Sequence, residues 1–209
     1  METLSRPTRN ILVEVDIQND FVTGSLAVKE GAEVVAPLNA LAGRVRETGG
    51  LVVQTRDHHP ESTPHFETWP VHCVAGTEGA AFYPALQIDS GDIVLSKGMG
   101  QTDGYSGVEG VGPRGETLER LIQPRDNSDR VRVLIGGLAT DYCVRATALD
   151  LAKTFGREKN VRLYLIKDAV RAVNLQPRDG ADALEAMRQA GIEALSSDEM
   201  LRTFFSAEA

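Results

Sequence analysis

The chain has 209 residues, of which 42% are hydrophobic and 25% are charged, and its net charge is −8. These proportions are typical of a globular protein and exclude a wholly disordered chain. The excess of acidic residues argues against a general nucleic-acid-binding surface. No apolar run approaches the roughly 20 residues that span a bilayer, so we expect neither nucleic acid nor membrane as a partner.

The amino terminus is polar, and residues 1–10 lack the apolar segment of a secretory signal peptide. The two cysteines, Cys73 and Cys143, are too few for a disulfide framework and suit a reducing compartment. We therefore expect a cytoplasmic protein. The length, with no repeat or linker, predicts a single domain over residues 1–209, in which residues 1–9 are expected to be flexible.

Short apolar runs alternate with amphipathic stretches along the whole chain. In chain order, the pattern predicts a strand at 11–15, a helix at 33–47, strands at 51–55 and 93–96, a short helix at 116–122, a strand at 131–136, a helix at 141–155, a strand at 161–166, a helix at 178–190 and a weaker strand at 192–195. Most strands are continuous and rich in β-branched residues, which is typical of strands buried on both faces. Strands that alternate with helices predict an α/β fold with a mainly parallel sheet.

The candidate catalytic residues follow four different predicted strands. Asp16 and Lys97 come directly after the first and third, Asp57 lies two residues beyond the second, and Cys143 begins the helix after the fourth. Ligands of open parallel sheets bind beyond the carboxyl ends of the strands, so these side chains are expected to share one edge. Taken singly, each has an ordinary interpretation as a turn residue, a solvated cation or a small buried side chain. The helix start favours a thiolate at Cys143, which makes it a better candidate than Cys73.

The histidines indicate a metal site. All four, His58, His59, His65 and His72, lie within 15 residues of a connection that is too long for an ordinary loop. Asp57 adds a carboxylate, and imidazole with carboxylate suits Zn²⁺, Fe²⁺ or Mn²⁺. The alternative is a polar loop that exposes its histidines to solvent.

Six segments occur in an order that resembles a known family. They are Asp16-Ile-Gln-Asn-Asp-Phe21, Asp57-His-His59, Trp69-Pro-Val-His-Cys-Val-Ala-Gly-Thr77, Lys97-Gly, Asp103-Gly-Tyr-Ser-Gly107 and Gly137-Leu-Ala-Thr-Asp-Tyr-Cys-Val-Arg-Ala-Thr147. Together they resemble the nicotinamidase (pyrazinamidase) branch of the isochorismatase-like cysteine hydrolases over about residues 10–200. The third and sixth segments are the most specific to nicotinamidases.

The resemblance implies a three-layer α/β/α fold with a mainly parallel six-stranded sheet of order 3-2-1-4-5-6. It implies a catalytic triad of Asp16, Lys97 and Cys143. The metal ligands that it implies are Asp57, His59 and His72. His65 matches a further ligand that some family members have. In other members a glutamate near this position is the further ligand, so Glu61 and Glu67 are alternatives to His65. His58 stands where an aromatic residue is common, so it is expected to be a bystander or to act behind the ligands.

The implied activity is the hydrolysis of nicotinamide to nicotinate and ammonia, a step of NAD salvage, and the hydrolysis of pyrazinamide. In this mechanism Cys143 attacks the carboxamide carbon, Asp16 accepts and returns the proton, and Lys97 holds the charged carboxylate. Backbone N–H groups of Ala139 and Cys143 form the oxyanion hole, next to a cis peptide bond between Leu138 and Ala139.

The substrate ring is walled by the residues that match Phe21, Trp69 and Tyr105. The implied cofactor is one divalent metal ion, with zinc preferred over iron or manganese, which holds the ring nitrogen, a water molecule or both. The implied partner is thus a small-molecule substrate, while a homo-oligomer is compatible with the sequence and the oligomeric state stays open.

A second residue besides His58 departs from the family pattern, and two other functions compete with the implied one. Glu14 stands where the family has an aliphatic residue, and as an unpaired carboxylate in a parallel strand it is expected to have a cationic partner or a raised pKa. The first alternative is a related amidase that acts on a carbamoyl or ureido group, which would keep the triad without needing the metal loop. The second is a non-catalytic metal-binding domain with an inert Cys143.

Overall fold

A parallel six-stranded sheet forms the centre of the computed structural model, which describes residues 8–100 and 104–206. Its strands are β1 (Arg9–Val15), β2 (Leu51–Asp57), β3 (Ile93–Lys97), β4 (Val131–Leu138), β5 (Val161–Arg171) and β6 (Glu193–Leu195). The strand order is β3-β2-β1-β4-β5-β6, and each of these pairings is parallel. The predicted α/β class and strand order are therefore confirmed.

Helices cover both faces of this sheet. They are α1 (Asn19–Val22), α2 (Val35–Glu47), α3 (Leu118–Ile122), α4 (Arg145–Phe155), α5 (Asp179–Gln189) and α6 (Ser197–Phe204). One core joins α2 and α6 to Leu12, and the other joins α3, α4 and α5 to Ile11 and Val13. Neighbouring residues of β1 thus enter two different cores, which explains why its apolar run is continuous. Within the described ranges, no helix combines the length and apolar character needed to cross a membrane.

The structure differs from the predicted elements in three places. The sequence prediction missed α6, although Ser196 and Glu199 cap its first turn reciprocally, a pattern that marks helix starts. Strand β5 runs beyond the predicted end at residue 166, because its pairing with β4 shifts register after Leu165 and resumes at Val170 and Arg171. Of the segment expected to be flexible, residues 1–7 lie outside the described ranges, and Arg9 already begins β1.

Glu14 lies fully buried in the middle of β1, beside Gln54 of β2. Its Oε2 atom accepts a hydrogen bond of 2.7 Å from Gln54 Nε2, which also lies 3.2 Å from Asp92 Oδ2. The guanidinium of Arg46 pairs with Asp92 at 2.6 Å and is the nearby cation. Burial raises the pKa of Glu14 from 4.5 to about 7, although Gln54 and Arg46 both act to lower this pKa. The carboxyl group therefore titrates near neutral pH in the folded protein.

Glu14→Gln is expected to change how stability depends on pH. Between pH 4.5 and about 7 the unfolded chain has released this proton while the folded protein retains it, so wild-type stability falls as the pH rises. The loss is about 3 kcal/mol and is complete above about pH 7. Urea unfolding at pH 5 and pH 8 should therefore show a smaller decrease for Glu14→Gln than for the wild type. The exposed Glu158→Gln is the control, and an equal decrease in all three proteins would contradict the assignment.

Candidate active site

The four candidate catalytic residues meet at the carboxyl edge of the sheet. Asp57 at the end of β2 is in register with Lys97 at the end of β3, and β1 and β4 are in register up to Val15 and Gly137. Asp16 follows β1 directly. The sheet thus brings together side chains that are 40 or more residues apart in the chain, as the strand-end argument predicts.

Asp16 ends β1 in a left-handed conformation, with φ of 52°, which aspartate tolerates better than most residues. Its Oδ1 accepts a hydrogen bond of 2.6 Å from Thr55 Oγ1, and its Oδ2 lies 2.8 Å from Lys97 Nζ. The side chain is fully buried. Burial raises the pKa of Asp16 and outweighs the opposing effect of the Lys97 ammonium. A buried carboxylate of raised pKa is suited to accept a proton.

Lys97 occupies the centre of the cluster. Its ammonium lies 2.5 Å from Asp57 Oδ1, 2.8 Å from the Gly104 carbonyl oxygen and 3.5 Å from Cys143 Sγ, in addition to Asp16. Burial alone would lower the pKa of Lys97, but the two carboxylates outweigh it and raise that pKa well above its usual value. The lysine therefore stays charged. It also fills the space among Asp16, Asp57 and Cys143, whose ligand atoms would otherwise be close enough to hold a metal ion.

Cys143 lies in a wide helical turn, Thr140–Val144, that precedes α4. The residue before this turn is Ala139, and the peptide bond between Leu138 and Ala139 is cis, as the resemblance implies. Burial raises the pKa of the Cys143 thiol; Lys97 opposes this effect, and the two carboxylates add to it. The prediction that the helix start lowers the thiol pKa is therefore wrong, because burial and the two carboxylates outweigh the effect of Lys97. The thiol needs a base to give up its proton.

Three histidines of the long connection between β2 and β3 converge. His59, His65 and His72 are buried, and their ligand atoms lie within 4.8 Å of one another. His59 Nδ1 lies 2.9 Å from the Gly98 carbonyl oxygen, and His72 Nδ1 lies 2.6 Å from that of Pro70. A carbonyl oxygen only accepts, so both Nδ1 atoms carry the proton and both Nε2 atoms present a lone pair. Such bonds orient imidazoles that ligate metals.

These residues fit a divalent metal ion. His59 Nε2 is buried without a hydrogen-bond partner among the described residues, which is costly for a polar atom unless a ligand occupies it. Gly98, whose carbonyl orients this ring, has φ of +72°, and a Cβ atom there would lie 2.5 Å from the ring of His59. The backbone can therefore approach the histidine only because residue 98 is glycine.

Asp57 stands between the lysine and the histidines. Its Oδ1 binds Lys97, while its Oδ2 lies 3.8 Å from His59 Nε2. Burial would raise the pKa of Asp57, but the ammonium of Lys97 and the ring of His59 outweigh it and hold that pKa well below its usual range. The carboxylate is charged and faces both groups. It can thus contribute to a metal site only while it is shared with the lysine.

The other candidate ligands lie elsewhere. His58 is half-buried and borders a surface pocket with Arg56, on the side away from the three convergent rings. Glu61 and Glu67 are exposed to solvent. Of the alternatives left open by the sequence, the structure brings His65 rather than either glutamate to the other two histidines.

A cavity of about 210 Å³ opens between the thiol and the histidines. Its volume lies below the range of pockets for drug-sized ligands, and so it suits a small molecule. Its lining comes from the segment between β1 and α2, from the connections before and after β3, and from the ends of β2, β4 and β5: Phe21, Ser25, Leu26, Ala27, Val28, Asp57, His65, Trp69, His72, Tyr105, Ala139, Tyr142, Cys143 and Val173. The predicted ring-walling residues and both residues of the predicted oxyanion hole are thus among its lining.

The aromatic side of the cavity is a connected group. Trp69 Nε1 donates a hydrogen bond of 2.8 Å to the Tyr105 hydroxyl, and the Tyr142 ring packs against both. Sequence reasoning missed Tyr142, although it is adjacent to the candidate nucleophile. It also missed Val173, whose backbone N–H is held by the buried Asp141 carboxylate at 2.9 Å. No local pattern marks that contact, since it joins segments 32 residues apart.

Known proteins share this fold and nearly the whole chain. Residues 10–199 match the isochorismatase domain family. The nicotinamidase/pyrazinamidase of Mycobacterium tuberculosis (strain ATCC 25618 / H37Rv) is 36% identical over 196 residues, which cover 89% of this chain and 98% of that protein. Among solved structures, the pyrazinamidase of Pyrococcus horikoshii in complex with zinc has a TM-score of 0.74 at 37% identity, covering 90% of this chain and 99% of that one. N-carbamoylsarcosine amidase from Thermoplasma acidophilum has a TM-score of 0.70 at 28% identity, covering 97% and 100% of the two chains.

The family match spans far more than half of the chain, and the mycobacterial relative is covered almost completely. The resemblance inferred from the six sequence segments is therefore confirmed. The chain belongs to the isochorismatase family and, within it, to the group that contains the nicotinamidases and pyrazinamidases.

Proposed function

We propose that the protein is a metal-dependent nicotinamidase that converts nicotinamide and water to nicotinate and ammonia in NAD salvage, and that it also hydrolyses pyrazinamide. The observation that carries this proposal is one small cavity with Cys143 on one wall and the imidazoles of His65 and His72 on another. The similarity to a nicotinamidase/pyrazinamidase and to a zinc-containing pyrazinamidase supports it. The cytoplasmic setting expected from the sequence stays a prediction.

The first half of the reaction forms a thioester. As Cys143 Sγ bonds to the carboxamide carbon, its proton passes to Asp16, which lies within reach and has a raised pKa. Backbone N–H groups of Ala139 and Cys143 stabilise the negative charge that develops on the carboxamide oxygen, an effect worth about 3–4 kcal/mol for each donor. Asp16 then returns the proton to the amide nitrogen as the carbon–nitrogen bond breaks, and ammonia leaves.

The second half hydrolyses the thioester. A water molecule attacks the acyl carbon while Asp16 takes one of its protons. The carbon–sulfur bond then breaks, and Asp16 returns its proton to Cys143. The second proton of the water leaves with the acid product, which releases it to the ammonia or to solvent to give nicotinate. Throughout both halves, Lys97 keeps its charge and holds Asp16 and Asp57 in place through contacts of 2.8 and 2.5 Å.

A divalent ion would be held by His59, His65 and His72 with Asp57 beside them, and we propose zinc before iron or manganese. When bound, the ion would supply a Lewis acid for the ring nitrogen of the substrate. The aromatic rings of Phe21, Trp69 and Tyr105 would orient the flat ring of the substrate, since stacked aromatic pairs gain about 0.5–1.5 kcal/mol beyond burial.

The purified protein should release ammonia from nicotinamide and pyrazinamide but far less from benzamide. Benzamide lacks the ring nitrogen, so the metal site would lose its partner, and kcat/KM should fall by roughly 100-fold or more. A chelator should abolish the activity on nicotinamide, and added zinc should restore it. Comparable kcat/KM for benzamide and nicotinamide would contradict a metal that contacts the ring.

The similarity to N-carbamoylsarcosine amidase favours a second candidate, an amidase that acts on a carbamoyl or ureido group. Such an enzyme would use the same triad, but its chemistry gives no reason for three buried imidazoles to converge beside the cavity. Chelator-resistant ammonia release from an N-carbamoyl amino acid, with none from nicotinamide, would establish this candidate instead.

A further inference from the structure

The side-chain amide of Gln18 makes three hydrogen bonds to backbone groups next to the candidate active site. Gln18 is fully buried. Its Nε2 donates to the carbonyl oxygens of Asp57 at 2.8 Å and Ala80 at 2.9 Å, and its Oε1 accepts from the Asp57 N–H at 2.7 Å. Both amide protons and one oxygen lone pair are therefore committed to backbone. Two of the three bonds hold a single residue, Asp57.

These bonds take the place of the backbone pairing that stops where β1 ends. Backbone pairing of β1 with β2 ends where the Asp16 N–H donates to the Thr55 carbonyl oxygen at 3.2 Å, and the left-handed Asp16 then turns the chain away. In a parallel ladder the next backbone groups of β2 on this side are those of Asp57. Because β1 has ended at this point, no backbone of β1 can pair with Asp57. The side-chain amide of Gln18 instead donates to the Asp57 carbonyl oxygen and accepts from the Asp57 N–H, as a peptide unit of a neighbouring strand would.

The residue held in this way, Asp57, contacts two different groups of the site. The two oxygens of Asp57 point to different partners, Oδ1 to Lys97 at 2.5 Å and Oδ2 to His59 Nε2 at 3.8 Å. Metal–ligand distances in proteins vary by only about 0.2 Å, so a ligand must be placed accurately. In the metal-free protein, a backbone that is free to shift would let the carboxylate move wholly to the lysine, because the ammonium attracts it and the lone pair of His59 Nε2 does not.

We propose that Gln18 is a positioning residue that sets how Asp57 is shared between Lys97 and the metal site. This inference rests on the proposed metal-dependent activity. It assigns Gln18 no contact with the substrate: the residue acts through the backbone of Asp57 alone. Removing its amide should therefore weaken metal binding and slow turnover, rather than weaken the contacts of the substrate ring.

The test compares Gln18→Met, which keeps the length of the side chain but not its hydrogen bonds, with Asn39→Leu. Asn39 is the control because its amide also bridges backbone groups, those of Ala85 and Gln87, both at 2.9 Å, and none of these three residues lines the cavity. Zinc affinity is measured by competition with a chromogenic chelator on the metal-free full-length proteins. Gln18→Met should bind zinc about 10–100-fold more weakly, while Asn39→Leu should bind it like the wild type.

Kinetics and a milder variant complete the test. In Gln18→Met at saturating zinc, kcat for nicotinamide should fall more than KM rises. If Gln18→Met does not fold, the same measurements are made on Gln18→Asn, which keeps the amide but shortens the side chain. Zinc affinity within twofold of the wild type in a folded Gln18 variant would overturn the inference and leave the residue a purely structural role. Failure of the wild type itself to bind zinc or release ammonia would instead refute the proposed function.

Discussion

Cys143→Ala is expected to reduce the hydrolysis of nicotinamide by four orders of magnitude or more, roughly the loss seen when other hydrolases lose their nucleophile. The reason is that the remaining groups cannot form the thioester, although Asp16 and Lys97 stay in place. Folding and zinc content should be unchanged, because the sulfur atom lies outside the group of three histidines. Ammonia release, circular dichroism and metal analysis of the same preparation check these three statements.

The second cysteine provides the matched control. Cys73 is buried, and burial raises the pKa of its thiol, but it is not one of the described residues that line the cavity. Cys73→Ala should therefore keep most of the activity per folded molecule. Wild-type turnover by Cys143→Ala, or loss of activity in Cys73→Ala alone, would show that Cys143 is not the nucleophile.

His72→Ala should lose both the metal and the activity. His72 Nδ1 is fixed by the carbonyl oxygen of Pro70, so its Nε2 faces the other two rings, and two histidines cannot hold zinc as three do. Zinc affinity should fall by more than about 100-fold. This loss is larger than the roughly 10–100-fold loss expected when a residue that only supports a ligand is removed. Equilibrium dialysis followed by metal analysis measures this loss directly.

His58→Ala is the comparison for this variant, since it removes an imidazole from the same connection. Its ring borders the surface pocket near Arg56 instead of the convergent group, so zinc content and turnover should stay close to those of the wild type. Full zinc occupancy in His72→Ala, or loss of zinc in His58→Ala, would show that the ion binds elsewhere.

The strand ends allowed much of this site to be predicted from sequence alone. Asp16, Asp57 and Lys97 each follow a β-branched run, and parallel strands of one sheet end at one edge whatever the details of their packing. The clustering of the histidines predicted a metal site for the same kind of reason, because a short segment keeps its side chains near one another. Helix α6 was also predictable, since Ser196 and Glu199 form a reciprocal cap.

Other features depend on contacts that no local pattern encodes. The raised pKa of Cys143 results from burial beside two carboxylates of other strands, and it reverses the effect expected from the helix start. The role proposed for Gln18 is visible only once Asp16 turns the chain and leaves Asp57 without a neighbour on the β1 side. The late part of β5 depends on a register shift in its pairing with β4, which amino-acid preferences do not predict.

The buried charges at the carboxyl edge also determine where a proton can go. Two carboxylates, Asp16 and Asp57, face one ammonium, Lys97, so the resting cluster carries one net negative charge with the thiol intact. Moving the thiol proton to Asp16 leaves that total unchanged, whereas releasing it to bulk solvent would add a second unbalanced charge in a buried site. The cluster therefore favours transfer of this proton between Cys143 and Asp16 over its release to solvent. In the proposed mechanism, the proton that leaves Cys143 would be retained beside the reacting carbon, and the departing nitrogen would receive it.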